Sequence, residues 1–104
     1  MLTTTERERP RKRPPTHPGA ILTAHYLEPL GITIVEAADR LQVSRKTLSK
    51  IINERGAITS DMALRLARVF NTTPQLWLNL QQAFDLWRAQ SLPGWREARP
   101  LRAA

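Results

Sequence analysis

Residues Thr33 to Asn53, "TIVEAADRLQVSRKTLSKIIN", carry the pattern from which the fold is predicted. Thr33 followed three residues later by Glu36 is a capping box, in which each side chain accepts a bond from a free backbone N–H at a new helix start. The next apolar residues recur at helical spacing and form one stripe: Ile34, Ala37, Ala38 and Leu41. The stretch therefore begins with a helix of about two turns.

A second helix follows after a short turn, and Ser44 suits its N-cap. At about 100° per residue, its side chains divide into two arcs. The apolar arc holds Thr47, Leu48, Ile51 and Ile52, and the polar arc holds Arg45, Lys46, Ser49, Lys50 and Asn53. The polar arc has three cations and no acid. Solvated helix faces usually mix both signs of charge, so this face favours a polyanionic partner.

Two short helices separated by about three residues are typical of a helix-turn-helix. In that motif the second helix enters the DNA major groove. Arg45 and Lys46 would then approach guanine O6 and N7, and Lys50 would reach a base or a phosphate. Ser49 and Asn53 could add hydrogen bonds. A basic amphipathic helix alone is more often an ordinary surface helix, but the caps, the turn and the helical surroundings agree with each other and favour DNA.

The flanking sequence predicts three more helices and no strands. Pro18 starts the first helix, whose face holds Ile21, Leu22, His25 and Tyr26, and Pro29 and Gly31 end it. After a break at "NERGAI", where Gly56 is expected at positive φ, Thr59 or Ser60 caps a fourth helix. Its inward residues are Ala63, Leu64, Ala67 and Phe70, and Asn71 ends it in the left-handed region. Thr73 and Pro74 start the longest helix, which is lined by Leu76, Trp77, Leu80, Ala83, Phe84 and Trp87.

The predicted architecture is therefore an all-α, five-helix domain over residues 17–90, with the helix-turn-helix at 33–53. Residues 1–16 are expected to form a flexible basic arm, because they combine five cations with several prolines. The arm is either a solvated tail or a contact to phosphate or the minor groove. Residues 91–104 are expected to form a short tail with a turn at Pro93 and Gly94.

Composition restricts the possible functions. A chain of 104 residues with 41% apolar and 24% charged residues suits one soluble domain, and no apolar run approaches a membrane span. No secretory signal is readable, and zero cysteines exclude disulfides and thiolate metal sites and fit a reducing cytoplasm. The net charge of +7 favours nucleic acid as the partner.

Several conspicuous residues have ordinary interpretations. His17 and His25 lack the spacing of a zinc pair, so neither a metal nor another cofactor is expected. No acid–base constellation indicates an enzyme. Trp77 and Trp87 are interpreted as core residues rather than stacking platforms. Leu78 and Leu86 lie off the apolar stripe of the longest helix and are either incidental or a dimer surface.

Two longer runs resemble a known family: "HPGAILTAHYLEPLGIT", residues 17–33, and "VSRKTLSKIINERGAITSDMALRLARVFNTTPQLWLNLQQAFDLW", residues 43–87. The combination of HPG, LEPLG, DMALRLAR and WLNLQ is similar to the HigA-type antitoxins, a branch of the Cro/C1 (XRE-like) helix-turn-helix group. The resemblance implies a lambda-repressor-like fold and a homodimer that represses its own operon in a type II toxin–antitoxin system. It also implies neutralisation of a RelE-like toxin, which cleaves mRNA on ribosomes.

The resemblance also assigns roles by position in the motif. Groove-facing roles fall to Arg45, Lys46, Ser49 and Lys50, and helix-start positions near phosphate to Thr33 and Ser44; Asn53 and Thr47 complete the candidate DNA contacts. Two positions depart from the family. Gln42 stands where the turn commonly has glycine, which would strain or reshape it, and Ala20 stands where many relatives carry an acid.

Two alternatives stay open beside the antitoxin. One is a stand-alone XRE-type transcriptional regulator, and the other is a toxin-binding module with little DNA binding. The cationic face of the second motif helix argues against the latter. Because one helix reads only a few base pairs, a dimer is expected to bind a palindromic operator in double-stranded DNA, with half-sites about 10 bp apart.

Overall fold

The computed structural model describes residues 14–101, and every regular element among them is helical. The first helix, α1, consists of three consecutive segments, Pro18–Leu22, Thr23–Leu27 and Glu28–Leu30. The others are α2 (Ile34–Leu41), α3 (Arg45–Ile52), α4 (Ser60–Phe70) and α5 (Pro74–Gln90), followed by a 3₁₀ turn at Gly94–Glu97. The predicted all-α fold with five helices is confirmed. Most of the predicted flexible arm, residues 1–13, lies outside the described residues, as do residues 102–104 of the tail.

The hydroxyl caps predicted from sequence begin four of the helices. Thr33, Ser44, Thr59 and Thr73 each accept a bond from the backbone N–H three residues later. The cap of α4 is thus Thr59, not Ser60. Only half of the predicted capping box forms among the described residues, because the Glu36 carboxylate lies 3.4 Å from Arg40 Nε instead.

Left-handed residues separate the helices. Gly31, Gln42 and Asn71 end α1, α2 and α4 with φ of 66°, 57° and 56°. The expected positive φ at Gly56 is wrong, because Glu54 takes that conformation with φ 62°. Gly56 serves close approach instead: a Cβ there would lie 3.2 Å from Lys50 Cβ, closer than side chains normally pack.

Helix α1 departs from the predicted single α-helix in its middle segment, where the Glu28 N–H bonds to the Thr23 carbonyl in a π-helical turn. Pro29 does not end the helix, which continues to Leu30. Proline has no N–H for the carbonyl four residues earlier, so a widened turn ahead of Pro29 accommodates it. The extra residue shifts the helix phase, which leaves His25 exposed and buries Leu27.

One core joins all five helices. Its largest fully buried side chains are Trp77, Leu22, Leu41, Leu48 and Leu66. Trp77 donates its indole N–H to Thr72 Oγ1 at 2.8 Å, as a buried tryptophan normally requires a partner. The core role predicted for Trp77 is confirmed, whereas Trp87 is only half-buried.

Three residues predicted to face the core are exposed: Leu64 by 60%, Ile34 by 38% and Leu76 by 37%. In α4 the buried stripe contains Met62, Ala63 and Leu66. Leu64 and the buried residues both stand at helical spacing from Ala67. Spacing in the sequence therefore does not decide which of the two faces of α4 is buried.

His17 is a buried cap at the start of α1. Its Nδ1 accepts from the Gly19 N–H at 2.9 Å at the start of α1. Its ring packs edge-on against the Phe84 ring of α5, with 4.8 Å between the ring centroids. Among residues 14–101, no group of three or more His, Asp or Glu side chains is placed to hold a metal ion. In the same part of the chain, no helix is long and apolar enough to cross a membrane.

Candidate nucleic-acid interface

Helix α3 presents a sharply divided surface. Leu48 and Ile51 are buried in the core, at 0% and 3% exposure, and Ile52 packs against it. Arg45, Lys46 and Lys50 are exposed on the other side. The two arcs predicted from the helical wheel therefore separate into a packed face and a solvent face, except that Thr47 of the apolar arc is exposed.

The polar residues of α3 bond to one another along its length. Ser44 Oγ accepts from the Thr47 N–H at 3.0 Å and donates to Thr47 Oγ1 at 2.9 Å. One turn later Asn53 Nδ2 donates to Ser49 Oγ at 3.2 Å. Ser49 is half-buried and Asn53 exposed. These bonds hold small donors and acceptors beside the three cations, so the helix offers both charge and hydrogen bonding to a ligand.

Within residues 14–101, no acid lies close enough to the α3 cations to form an ion pair. Among residues 14–101, the ion pairs within 4.0 Å are Arg40 with Glu36 and Arg65 with Asp61. The three cations of α3 have no acidic partner in that part of the chain. Arg55 adds an exposed cation just after α3, where its backbone N–H bonds to the Lys50 carbonyl at 2.8 Å. The helical wheel of α3 does not include Arg55, although its place directly after the cationic helix is a usable signal.

The fold fixes α3 on several sides. At its C-terminal end, Gly19 of α1 lies directly against the Ile51 carbonyl, and a Cβ on Gly19 would overlap that oxygen. Helix α3 also packs against α2, and Ala38, Leu41 and Leu48 are all buried in the shared core. Gln42 takes the left-handed conformation that glycine would take without strain, and its side-chain amide donates to the Asp39 carbonyl at 2.6 Å. The turn thus keeps its hydrogen-bonded form, with Gln42 in the left-handed position.

A second surface lies on α5. Leu78 is half-buried against the core, whereas Leu86 is 55% exposed. The structure brings these two leucines together, because both line one open groove with Gln81, Gln82, Asp85 and Ala89. The groove is mainly apolar with one acid at its edge.

This chain is similar in sequence to known helix-turn-helix proteins. Residues 24–77 match the model of the helix-turn-helix family. The chain is 43% identical to antitoxin HigA-1 of Vibrio cholerae over 79 aligned residues. The aligned region covers 76% of this chain and 74% of that protein. The chain belongs to the HigA-type antitoxins of the helix-turn-helix family. This membership also confirms the expectation that it is not an enzyme.

Two further matches extend the comparison. The regulator YbaQ of Escherichia coli K12, named as an HTH-type transcriptional regulator, is 51% identical over 79 residues, covering 76% of this chain and 70% of that protein. The solved structure of Pseudomonas aeruginosa antitoxin HigA with the higBA promoter superposes with a TM-score of 0.78 at 38% identity. It covers 85% of this chain and 99% of that one.

Proposed function

We propose that this chain binds operator DNA through α3 and represses its own operon. The observation that carries the proposal is the exposed cationic face of α3, a helix whose other face is packed into the core; within residues 14–101 its three cations have no acidic partner within 4.0 Å. Phosphate attraction comes from the cations, and base reading from their guanidinium and ammonium donors. The proposed DNA contacts are Arg45, Lys46, Ser49, Lys50, Thr33, Ser44, Asn53 and Thr47.

The roles within this set differ by position. Thr33 and Ser44 cap α2 and α3, where each hydroxyl accepts one N–H of the first turn. The other N–H groups of a helix start suit phosphate oxygens. Arg45 and Lys46 occupy the first turn of α3, which in a helix-turn-helix lies over base edges. The similarity to a HigA solved with its promoter supports the assignment.

The proposal includes a homodimer. A single α3 reads only a few base pairs, so useful specificity requires two copies on a palindrome. The α5 groove that contains Leu78 and Leu86 is the proposed contact between them, because exposed leucine on a regular helix is the kind of surface that a second copy can bury.

The antitoxin role extends the proposal to a second partner, a RelE-like toxin. Its support is the similarity to antitoxin HigA-1 of Vibrio cholerae. A stand-alone transcriptional regulator is the competing function, and the similarity to YbaQ at 51% identity favours it. The two functions share the DNA surface and differ only in the toxin.

Footprinting on the promoter region of the chain's own gene tests the DNA part. We expect two protected half-sites, related by a dyad and about 10 bp apart centre to centre. A scrambled duplex of equal length and base composition is the control. Protection of one unrepeated half-site would contradict the dimer, and equal binding to both duplexes would contradict sequence-specific repression.

Growth rescue tests the toxin part. The product of the reading frame next to this gene is expressed in a host with or without the full chain. The antitoxin function predicts that the neighbour alone stops growth and that this chain restores it. A harmless neighbour, or toxicity that the chain leaves unchanged, would favour the stand-alone regulator.

A further inference from the structure

The turn between α2 and α3 is held from outside by a residue of α4. We propose that Arg65 is a positioning residue for DNA reading: its guanidinium fixes this turn and thereby the direction in which α3 presents Arg45 and Lys46. The inference rests on the proposed DNA binding by α3. It concerns a side chain that lies outside the helix-turn-helix segment and acts through it.

The turn itself is compact but strained. Gln42 has φ 57° and ψ 47°, a conformation that costs a residue with a Cβ about 1–2 kcal/mol. Two backbone bonds close it, from Gln42 N to the Asp39 carbonyl and from Val43 N to the Ala38 carbonyl, both at 3.1 Å. This is the Schellman arrangement, which leaves the last carbonyls of the helix without backbone partners.

Arg65 donates to the last carbonyl of α2 and to the carbonyl that follows it. Its Nη1 donates to the Leu41 carbonyl at 2.9 Å and to the Gln42 carbonyl at 3.1 Å. The guanidinium also places a positive charge at the C-terminal end of α2, where the helix dipole favours a cation. Arg65 thus stabilises the strained residue and the residue before it at once.

The guanidinium is held in turn by its own helix. Arg65 Nε donates to Asp61 Oδ2 at 2.7 Å, one turn earlier in α4. Helix α4 is anchored in the core by Met62 and Leu66, at 5% and 0% exposure. The contacts therefore form a continuous path from the core through α4 to the turn.

The position of α3 depends on that path. Ser44, the cap of α3, follows the clamped Gln42 by two residues, and Arg45 begins the helix. Base hydrogen bonds tolerate only a few tenths of an ångström and weaken steeply with misalignment, so a looser turn would reduce base reading more than phosphate attraction. Lysine could not replace Arg65, because one ammonium lacks the planar fork that serves the carboxylate and both carbonyls together.

The test compares the full chain with Arg65→Ala, Arg65→Lys and Arg68→Ala. Arg68 is an exposed arginine on the same helix, so its loss matches the charge change. Each protein is titrated with a duplex spanning the promoter region of its own gene and with a scrambled duplex, below the melting temperature of every variant. We expect Arg65→Ala to lose about tenfold or more in the ratio of the two affinities, the value of one good base contact.

Arg68→Ala is expected to keep the wild-type ratio, and Arg65→Lys to lose most of what Arg65→Ala loses. A wild-type ratio in folded Arg65→Ala would overturn the inference, and a wild-type ratio in Arg65→Lys would overturn the role of the fork. If Arg65→Ala does not fold, Arg65→Lys decides alone. If the wild-type chain binds both duplexes equally, the proposed function itself fails, a result distinguishable from the others.

Discussion

His17 is the titratable residue whose charge the fold controls most clearly. Only 4% of it is exposed, and burial lowers its pKa below the ordinary value of 6.5. The carboxylates of Glu54 and Asp85 and a hydrogen bond to the backbone of Gly56 act in the opposite direction, and Arg88 adds to the lowering. Because the pKa is lowered on balance, the folded chain favours the neutral ring that caps α1.

The lowered pKa of His17 predicts a pH-dependent stability. Below pH 6.5 the unfolded chain binds a proton that folded His17 resists, so the free energy of unfolding falls as pH drops from about 6.5 toward the lowered pKa. Above 6.5 both states are neutral at this group, and its contribution is constant. Thermal melts between pH 5 and 8 measure the effect.

Asparagine retains a helix cap, so His17→Asn should remove this part of the pH dependence while keeping the fold. Thr16→Asn, at the exposed neighbouring position, is the matched control and should leave the slope unchanged because it removes no titratable group. Equal slopes in all three proteins would show that His17 titrates normally.

Gln81 is a buried polar residue that the sequence does not reveal, because its partner is 23 residues away. Its Oε1 accepts from the Ile58 N–H at 2.8 Å, and its Nε2 donates to Asp85 Oδ1 at 2.9 Å. The first bond ties the loop that follows α3 to α5. Gln81 therefore supports the far end of the proposed recognition helix.

Replacing Gln81 with Ala should lower the free energy of unfolding by about 1–3 kcal/mol, because the buried Ile58 N–H loses its partner. Gln82→Ala, at the exposed neighbouring position, should change it by less than about 0.5 kcal/mol. Urea unfolding of both variants gives the comparison. A loss of similar size in both would contradict the role of the Gln81 bond.

At the scale of the helices, local signals predicted most of the structure. The caps at Thr33, Ser44 and Thr73 and the stop at Asn71 depend on contacts within four residues, which the sequence displays. The phase of a helix depends on what packs against it. The prediction that Leu64 faces the core is therefore wrong: Leu64 is 60% exposed, and Met62 and Leu66 form an equally regular stripe that is buried.

The loop after α3 is a second place where the sequence does not determine the detailed structure. Glycine is the expected residue at positive φ, yet Glu54 takes that conformation and Gly56 allows the chain to pass Lys50. Both the Arg55 and Gly56 N–H groups bond to the Lys50 carbonyl, which fixes where the chain reverses. Composition predicts that a break occurs there, but not which residue carries it.

If the homodimer forms through the α5 groove, a charge placed in the groove should dissociate it. Leu86→Glu should shift the chain from dimer to monomer, because it places a charge in the proposed apolar contact near Asp85. Leu64→Glu is the matched control: Leu64 is 60% exposed against 55% for Leu86, but lies on α4. Sedimentation equilibrium of the two variants and the wild type measures the result. Dissociation by both changes, or by neither, would contradict a dimer through this groove.

At the scale of the whole molecule, the sequence predicts one part of the candidate site, and only the fold shows the other part. The cationic arc of α3 follows from helical spacing alone, and its exposure in the structure agrees with it. Arg65 and Gln81 support that helix across 23 or 24 residues of sequence. A single sequence does not display such pairings, because no local period connects the partners.

The chain carries a net charge of +7, so any comparison of DNA affinity must separate the cations of α3 from the others. Changing Arg45, Lys46 and Lys50 together to Ala removes three charges from the proposed interface. Changing Arg68, Arg96 and Arg99 to Ala removes three exposed charges elsewhere. Both sets lie on the surface, so both variants should melt within a few degrees of wild type.

The affinity of these two variants for the promoter duplex, measured at one salt concentration, tests the central claim most directly. The α3 variant should lose about 100-fold or more, because each good base contact contributes about 1–3 kcal/mol and each cation adds phosphate attraction. The control should lose far less. An α3 variant that remains folded and binds the promoter duplex within a few-fold of the control would show that the cationic face of α3 does not read DNA.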